Sequence, residues 1–108
     1  VMMAYNIVNG GYLEEAIKQA KAKDVGIIAM KVANPVARIH RTGMEPISDW
    51  RGQQLHHIVP GEYSTPQKAY IWALQNPNIS AVISDLWDEN YVKENLASAG
   101  KKVELQPA

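Results

Sequence analysis

The chain has 108 residues, 46% hydrophobic and 20% charged, and its 11 basic and 11 acidic residues cancel to a formal net charge of zero. Such a balance fits one α/β domain, or part of a larger one, and argues against a nucleic-acid surface, which carries a basic excess or stripe. No cysteine is present, so disulfides, thiolate metal sites and thiol nucleophiles are excluded, and no apolar run approaches the roughly 20 residues of a membrane helix.

"VMMAYNIV" (1–8) is an apolar, β-compatible run closed by the turn signal Asn9-Gly10-Gly11. It starts at full strand character, with no signal segment, leader or cap before it, so the expectation is a piece of a longer polypeptide. Localisation is left open, with the cytoplasm slightly favoured. "YLEEAIKQAKAK" (12–23) places Leu13, Ala16, Ile17 and Ala20 on one helical face. Its glutamates precede its lysines, as the helix macrodipole favours. "VGIIAMKVA" (25–33) is a continuous apolar run broken by Lys31, the pattern of a strand covered on both faces.

Residues 34–63 show no clean period and are punctuated by Pro35, Gly43, Pro46, Gly52 and Pro60-Gly61. About 30 irregular residues exceed the usual connection, so a lid, an excursion or a disordered insert is expected. "STPQKAYIWALQNP" (64–77) opens with helix-entry chemistry: Ser64 or Thr65 as cap, Pro66 in the first turn, and Gln67 available to a capping box. Asn76-Pro77 stops it. "ISAVISDL" (79–86) is a further buried strand. "DENYVKENLASAG" (88–100) then offers Asp88 as cap, Val92, Leu96 and Ala99 on one face, and Gly100 as stop. The order is βα, βα, βα, which implies a parallel sheet with right-handed crossovers. Three such units make either a small open sandwich or three-eighths of a barrel.

Few residues point to chemistry. Gly10-Gly11 between strand and helix could cradle a phosphate, but nucleotide-loop glycine spacings are absent and a tight turn is the simpler reading. His40, His56 and His57 lack a carboxylate at ligand spacing, so no metal site is assigned. Ser84 sits at a strand-to-helix turn without the glycines of a nucleophile elbow. Lys31 is the sharpest residue. A lone cation near the carboxyl end of a buried run must emerge at the strand tip or find a partner. In parallel α/β sheets ligands bind at those tips, so ligand contact and an ion pair are both open. Met2, Met3, Met30 and Trp72 read as core packing, and Tyr5-Asn6 as a satisfied strand-end pair whose ring and amide could otherwise face a bound cofactor.

Taken in order, "VMMAYNIV", "LEEAIKQAKAKDVGIIAMKV", "AYIWALQNPNISAVIS" and "ENYVKENLASAG" resemble the carboxyl-terminal part of aldo-keto reductases, bacterial oxidoreductases of that superfamily most of all. The resemblance spans most of the chain outside 34–63 and rests on order and spacing. It implies the C-terminal (β/α)3 portion of a TIM-type (β/α)8 barrel, with residues 1–108 supplying units six to eight. It implies a protein that reduces carbonyl groups with a nicotinamide dinucleotide, NAD or NADP, and acts on a small carbonyl substrate. The family's catalytic Asp, Tyr, Lys and His lie in the amino-terminal half, so no catalytic role passes to Tyr5 or Lys31.

Cofactor contacts do fall in the matched region. Met30, Lys31 and Val32 correspond to the positions flanking the nicotinamide and pyrophosphate, with Met30 where the family often has an aromatic ring. Met2 stands where the sixth strand usually offers Gln. Ser84 and Asp85 match the phosphate-and-ribose loop, and Glu94-Asn95 match the pair near the adenine. Trp87 occupies the place of an Arg that binds the 2′-phosphate of NADP in many members. With Asp85, Asp88 and Glu89 around it, the loop slightly favours NAD, because carboxylates accept from ribose hydroxyls and repel a phosphate. The alternative is a barrel that has lost these contacts and serves as a non-catalytic binding or scaffold protein. Either way, self-association or packing against the remaining half-barrel is expected, since an open part-barrel exposes edges and an apolar face.

Overall fold

Only two or three residues of each apolar run pair as strand. The computed structural model describes residues 1–40, 43–46, 50–84, 86 and 88–107, the backbone alone over 38–40 and 43–46. In chain order it shows β1 (Met2–Ala4), a 3-10 turn (Gly10–Leu13), α1 (Glu14–Ala22) and β2 (Ile28–Met30). These are followed by β3 (Ala37–His40), β4 (Gly43–Pro46), α2 (Trp50–Ile58), α3 (Thr65–Leu74), β5 (Ala81–Val82) and α4 (Glu89–Leu96). The result is a mixed α/β fold around a three-stranded parallel sheet of order β1-β2-β5, with β3 and β4 forming a separate antiparallel hairpin.

The first strand stops early because polar side chains take over its backbone. Asn6 Oδ1 accepts from the amides of Val8 and Asn9 at 3.0 and 3.2 Å, and Asn9 Oδ1 accepts from the Asn6 amide at 2.8 Å. Side-chain bonds of this kind offer the chain a turn in place of a ladder. The second strand ends where Lys31 adopts a left-handed conformation, φ 55°.

Partners in a parallel pair put their side chains on the same face. The register Met3↔Ala29 and Ala29↔Val82 therefore aligns these three on one side. There Ile27 and Ala29 join Ile17 of α1, Leu55 and Ile58 of α2, and Ala69, Ile71 and Ala73 of α3 in a single core. Ile71 is fully buried, and truncating such a residue to Ala costs about 2–5 kcal/mol. The opposite face carries Met2, Ile28, Met30, Ala81 and Ile83 and is open. Met2 is 52% and Ile83 44% exposed. Met2 was expected in the core, and Ile28 and Met30 on a strand covered on both faces; the helices cover one face only.

The stretch 34–63, expected to be irregular, holds the β3–β4 hairpin and α2. α3 begins as its sequence implies. Ser64 Oγ accepts from the Gln67 amide at 3.3 Å and Gln67 Oε1 accepts from the Ser64 amide at 3.0 Å, a reciprocal capping box with Pro66 in the first turn. At the C-terminus of α2, the buried Lys68 of α3 donates through Nζ to the carbonyls of His56 and Val59. Those carbonyls belong to the last turn, where intrahelical donors run out. The final residues strap this layer, Val103 and Gln106 donating their amides to Gln75 Oε1 and the Ile58 carbonyl.

One helical face matches expectation save for one residue, and another differs. Leu13, Ile17 and Ala20 pack into the core from the α1 side as expected, while Ala16 is exposed. In α4, Asp88 caps by accepting from the Tyr91 amide at 3.1 Å, but Leu96 is 64% exposed and Tyr91 and Ser98 are buried instead. A short helix whose mixed residues allow two stripes is rotated by what its neighbours bond. Here α3 holds α4 through Gln67 and Ser64, which fixes that rotation.

Candidate functional site

The carboxyl ends of the parallel strands gather most of the residues singled out above. Extending the register Ile28↔Ala81 and Ala29↔Val82 puts Lys31 and Ser84 at the same end of the sheet. The Ile83 amide donates to the Ala29 carbonyl at 3.0 Å, continuing that ladder past β5. On the other side the Tyr5 amide donates to the Met30 carbonyl at 3.1 Å.

Lys31 is held by its backbone. Asn6 Nδ2 donates to the Lys31 carbonyl at 3.3 Å, so the loop after β1 fixes the turn after β2. Asn6 is 8% exposed, and its oxygen is used within its own loop. The bonds the Asn6 side chain makes thus all hold backbone geometry. The lysine side chain is exposed and makes no hydrogen bond or ion pair among the described residues. A non-glycine residue in the left-handed region is strained by roughly 1–2 kcal/mol, and such outliers collect at functional sites. Its neighbours in the predicted set behave differently. The half-buried Met30 points to the open face of the sheet, and the Val32 side chain is buried in the core at 2% exposure. Val32 can therefore meet a ligand only through its backbone.

Ser84 and Asn95 are brought together: Asn95 Nδ2 donates to Ser84 Oγ at 3.2 Å, linking the loop after β5 to α4. Asp85 and Trp87 lie outside the described residues. Glu94 turns away from this group. Its Oε1 accepts the Ser64 hydroxyl at 2.6 Å and its carbonyl accepts from Gln67 Nε2 at 2.9 Å, so it clamps α4 to the start of α3.

Comparison of the chain with protein-family models, curated proteins and solved structures finds no match. The site therefore rests on its own geometry.

That geometry offers one unpaired ammonium, Lys31, and a hydroxyl–amide pair, Ser84–Asn95, at the end of the sheet where ligands of parallel α/β folds bind. The set suits an anionic ligand bearing hydroxyl groups. An ammonium can meet an anionic group and the Ser84 hydroxyl a ligand hydroxyl, whereas Glu94 and the Val32 side chain are committed to the fold. No group of three or more His, Asp or Glu that could hold a metal occurs among the described residues. His56 and His57 lie on α2, where Nε2 of His56 bonds Thr65 Oγ1 at 2.9 Å. Partial burial of the ring, and then the nearby Lys68 ammonium, hold the His56 imidazole below its usual pKa; burial does the same to Lys68. Two contributors escape sequence reading, Asn6 as the holder of Lys31 and Ser64 as the partner of Glu94. Paired asparagines before Gly-Gly were a signal for the first; nothing local signals the second.

Proposed function

We propose that this chain is the cofactor-side segment of a nicotinamide-dependent oxidoreductase that reduces carbonyl groups, folded as consecutive units of a TIM-type barrel. The observation that carries the reading is the gathering of Lys31 and the Ser84–Asn95 pair at the carboxyl ends of parallel strands. The sheet supports it as well. The three parallel strands lie side by side in the order in which they occur along the chain, helices cover one face, and the other is apolar and open, as for staves of a barrel whose interior other strands would complete. On this reading Lys31 meets the dinucleotide's pyrophosphate, and Ser84 and Asn95 meet a ribose. The acidic loop sequence with Trp87 prefers NADH. The catalytic groups belong to another part of the polypeptide, so the 108-residue chain alone turns over no aldehyde.

Titration with NADH and NADPH, followed by the fluorescence of the reduced nicotinamide, tests it. Saturable binding that is tighter for NADH, and about tenfold or more weaker in Lys31→Ala, is expected, since a charge-assisted bond contributes roughly 1.5–3 kcal/mol. Trp87→Arg should shift preference toward NADPH. Absence of binding by both nucleotides, to this chain and to the longer polypeptide, would leave the second reading, a non-catalytic binding or scaffold barrel. The specific observation in its favour is Glu94, whose carboxylate serves the Ser64 hydroxyl.

A further inference from the structure

A concavity lies on the helix-covered side of the sheet, opposite the open face. It is a cleft of about 440 Å³ between the start of α1 and the end of α3, within the size range of small-molecule sites. Its floor is apolar and aromatic. Tyr5 and Trp72 stack there with ring centroids 5.0 Å apart and planes 20° apart, beside the buried Ile17. The pair is fixed from both sides. Asn76 Nδ2 donates to the Tyr5 hydroxyl at 3.2 Å, and a Cβ placed on Gly10 would sit 3.1 Å from Trp72 Cη2, a tight contact that the indole would have to yield to.

The walls carry a different chemistry. Glu14 and Lys18 lie one helical turn apart on α1 and both line the cleft. A Glu followed four residues later by Lys is the spacing and order that favours an ion pair on a helix. On α4 that pair closes, Glu89 to Lys93 at 3.1 Å. On α1 it does not: the side chains of Glu14 and Lys18 make no hydrogen bond or ion pair among the described residues. The Asn78 amide side chain, which also lines the cleft, is likewise without a bond among the described residues, while Asn76 Oδ1 accepts from the Asn78 backbone amide at 2.9 Å. An open carboxylate and an open ammonium, with side-chain roots roughly 6 Å apart, thus stand over an aromatic floor with one amide facing them.

We infer that this cleft binds a small zwitterion with an apolar or aromatic body, an α-amino acid of the phenylalanine type. Its ammonium group meets Glu14, its carboxylate meets Lys18 and the Asn78 amide, and its side chain lies against Tyr5, Trp72 and Ile17. A ligand of one charge would leave one wall residue facing a like charge. A zwitterion satisfies both, and its two charged groups fit between side chains one turn apart.

Calorimetric titration of the full chain with L-phenylalanine, L-phenylalaninamide and 3-phenylpropionate separates the contributions. The first carries both charges, the second only the cation, the third only the anion. Saturable binding of L-phenylalanine is expected, with each single-charge analogue about tenfold or more weaker. Lys18→Ala should remove most of the preference for the carboxylate and Glu14→Gln most of that for the ammonium. Both residues are exposed on a helix surface, and unchanged circular dichroism checks that each variant folds. Three results would overturn the inference: no saturable heat from L-phenylalanine, equal affinity for all three compounds, or wild-type affinity in both variants.

Discussion

The Ser64 hydroxyl donates to Glu94 at 2.6 Å while the same oxygen accepts from the Gln67 amide, so one side chain starts α3 and anchors α4. A cap contributes about 1 kcal/mol, and a bond to a carboxylate adds to it. Ser64→Ala is therefore expected to lower unfolding free energy by about 2 kcal/mol. A double-mutant cycle with Glu94→Ala should return a coupling on the order of 1 kcal/mol. The proposed nucleotide site gives this pair a second use. Since Glu94 faces α3, Glu94→Ala should lower stability yet leave NADH affinity within about twofold, a change of only a few tenths of a kcal/mol. A large loss of NADH binding with unchanged stability would return Glu94 to the adenine.

Asp24 and Lys31 share a left-handed backbone, φ 56° and 55°, but for separate reasons. Asp24 stops α1, its amide donating to the Lys21 carbonyl at 3.1 Å and the next amide, Val25, to the Ala20 carbonyl at 2.8 Å. Glycine is the usual residue at such a stop. Relief of roughly 1–2 kcal/mol of strain is offset in part by about 0.5–1 kcal/mol of glycine's extra unfolded-state entropy. Asp24→Gly and Lys31→Gly should each therefore stabilise by about 0.5–1 kcal/mol in urea unfolding. Only the second should weaken NADH. Equal nucleotide affinity in Lys31→Gly would make that turn a structural stop like the first.

The pH dependence of stability follows from His56. Its pKa is lowered from 6.5 in the folded chain by burial, then by the Lys68 ammonium. Above pH 6.5 the imidazole is neutral folded and unfolded, and it contributes no slope. As pH falls below that value the unfolded chain takes up a proton that the folded chain still refuses, so stability declines until the folded pKa is passed. Urea midpoints should therefore be lower at about pH 5.5 than at about pH 7.5, and His56→Gln should flatten the difference. A midpoint that rises on acidification in the wild-type chain would contradict the assignment.

The α/β alternation, the α3 cap and the α4 cap were legible because each is local. Ser64, Pro66, Gln67 and Asp88 act within one turn of where they stand. The shortness of the strands was not, because Asn6 and Asn9 redirect the backbone through bonds that an apolar pattern does not reveal. Nor was the rotation of α4, where tertiary bonds from Ser64 and Gln67 chose between two faces of similar polarity. Within 34–63, proline and glycine read as irregularity, yet Pro46 ends β4 and Gly52 is buried inside α2. The strand-tip group was readable from Lys31 and Ser84 by position. The commitment of Glu94 to Ser64, 30 residues away, required the fold.

The open face of the sheet makes the last prediction. Met2, Ile28, Met30 and Ile83 alternate along three strands with no described element over Met2 or Ile83. β1 and β5 are the two edge strands of the sheet, and on β1 the Ala4 carbonyl accepts from Asn9 Nδ2 rather than from another strand. An apolar face between two parallel edge strands favours association, and a chain of this size has little core to spare. Sedimentation of the isolated chain should therefore show species that grow with concentration. Met30→Lys, which places a charge on the open face, should shift the distribution toward monomer while leaving the helix-side core intact. The amino-acid cleft lies on the covered side, so its binding heats should survive that change. A compact, cooperatively melting monomer at all concentrations would mean that three βα units close a core by themselves. The barrel-segment reading, and the nicotinamide site built on it, would then fall, because nothing would be left for further strands to cover.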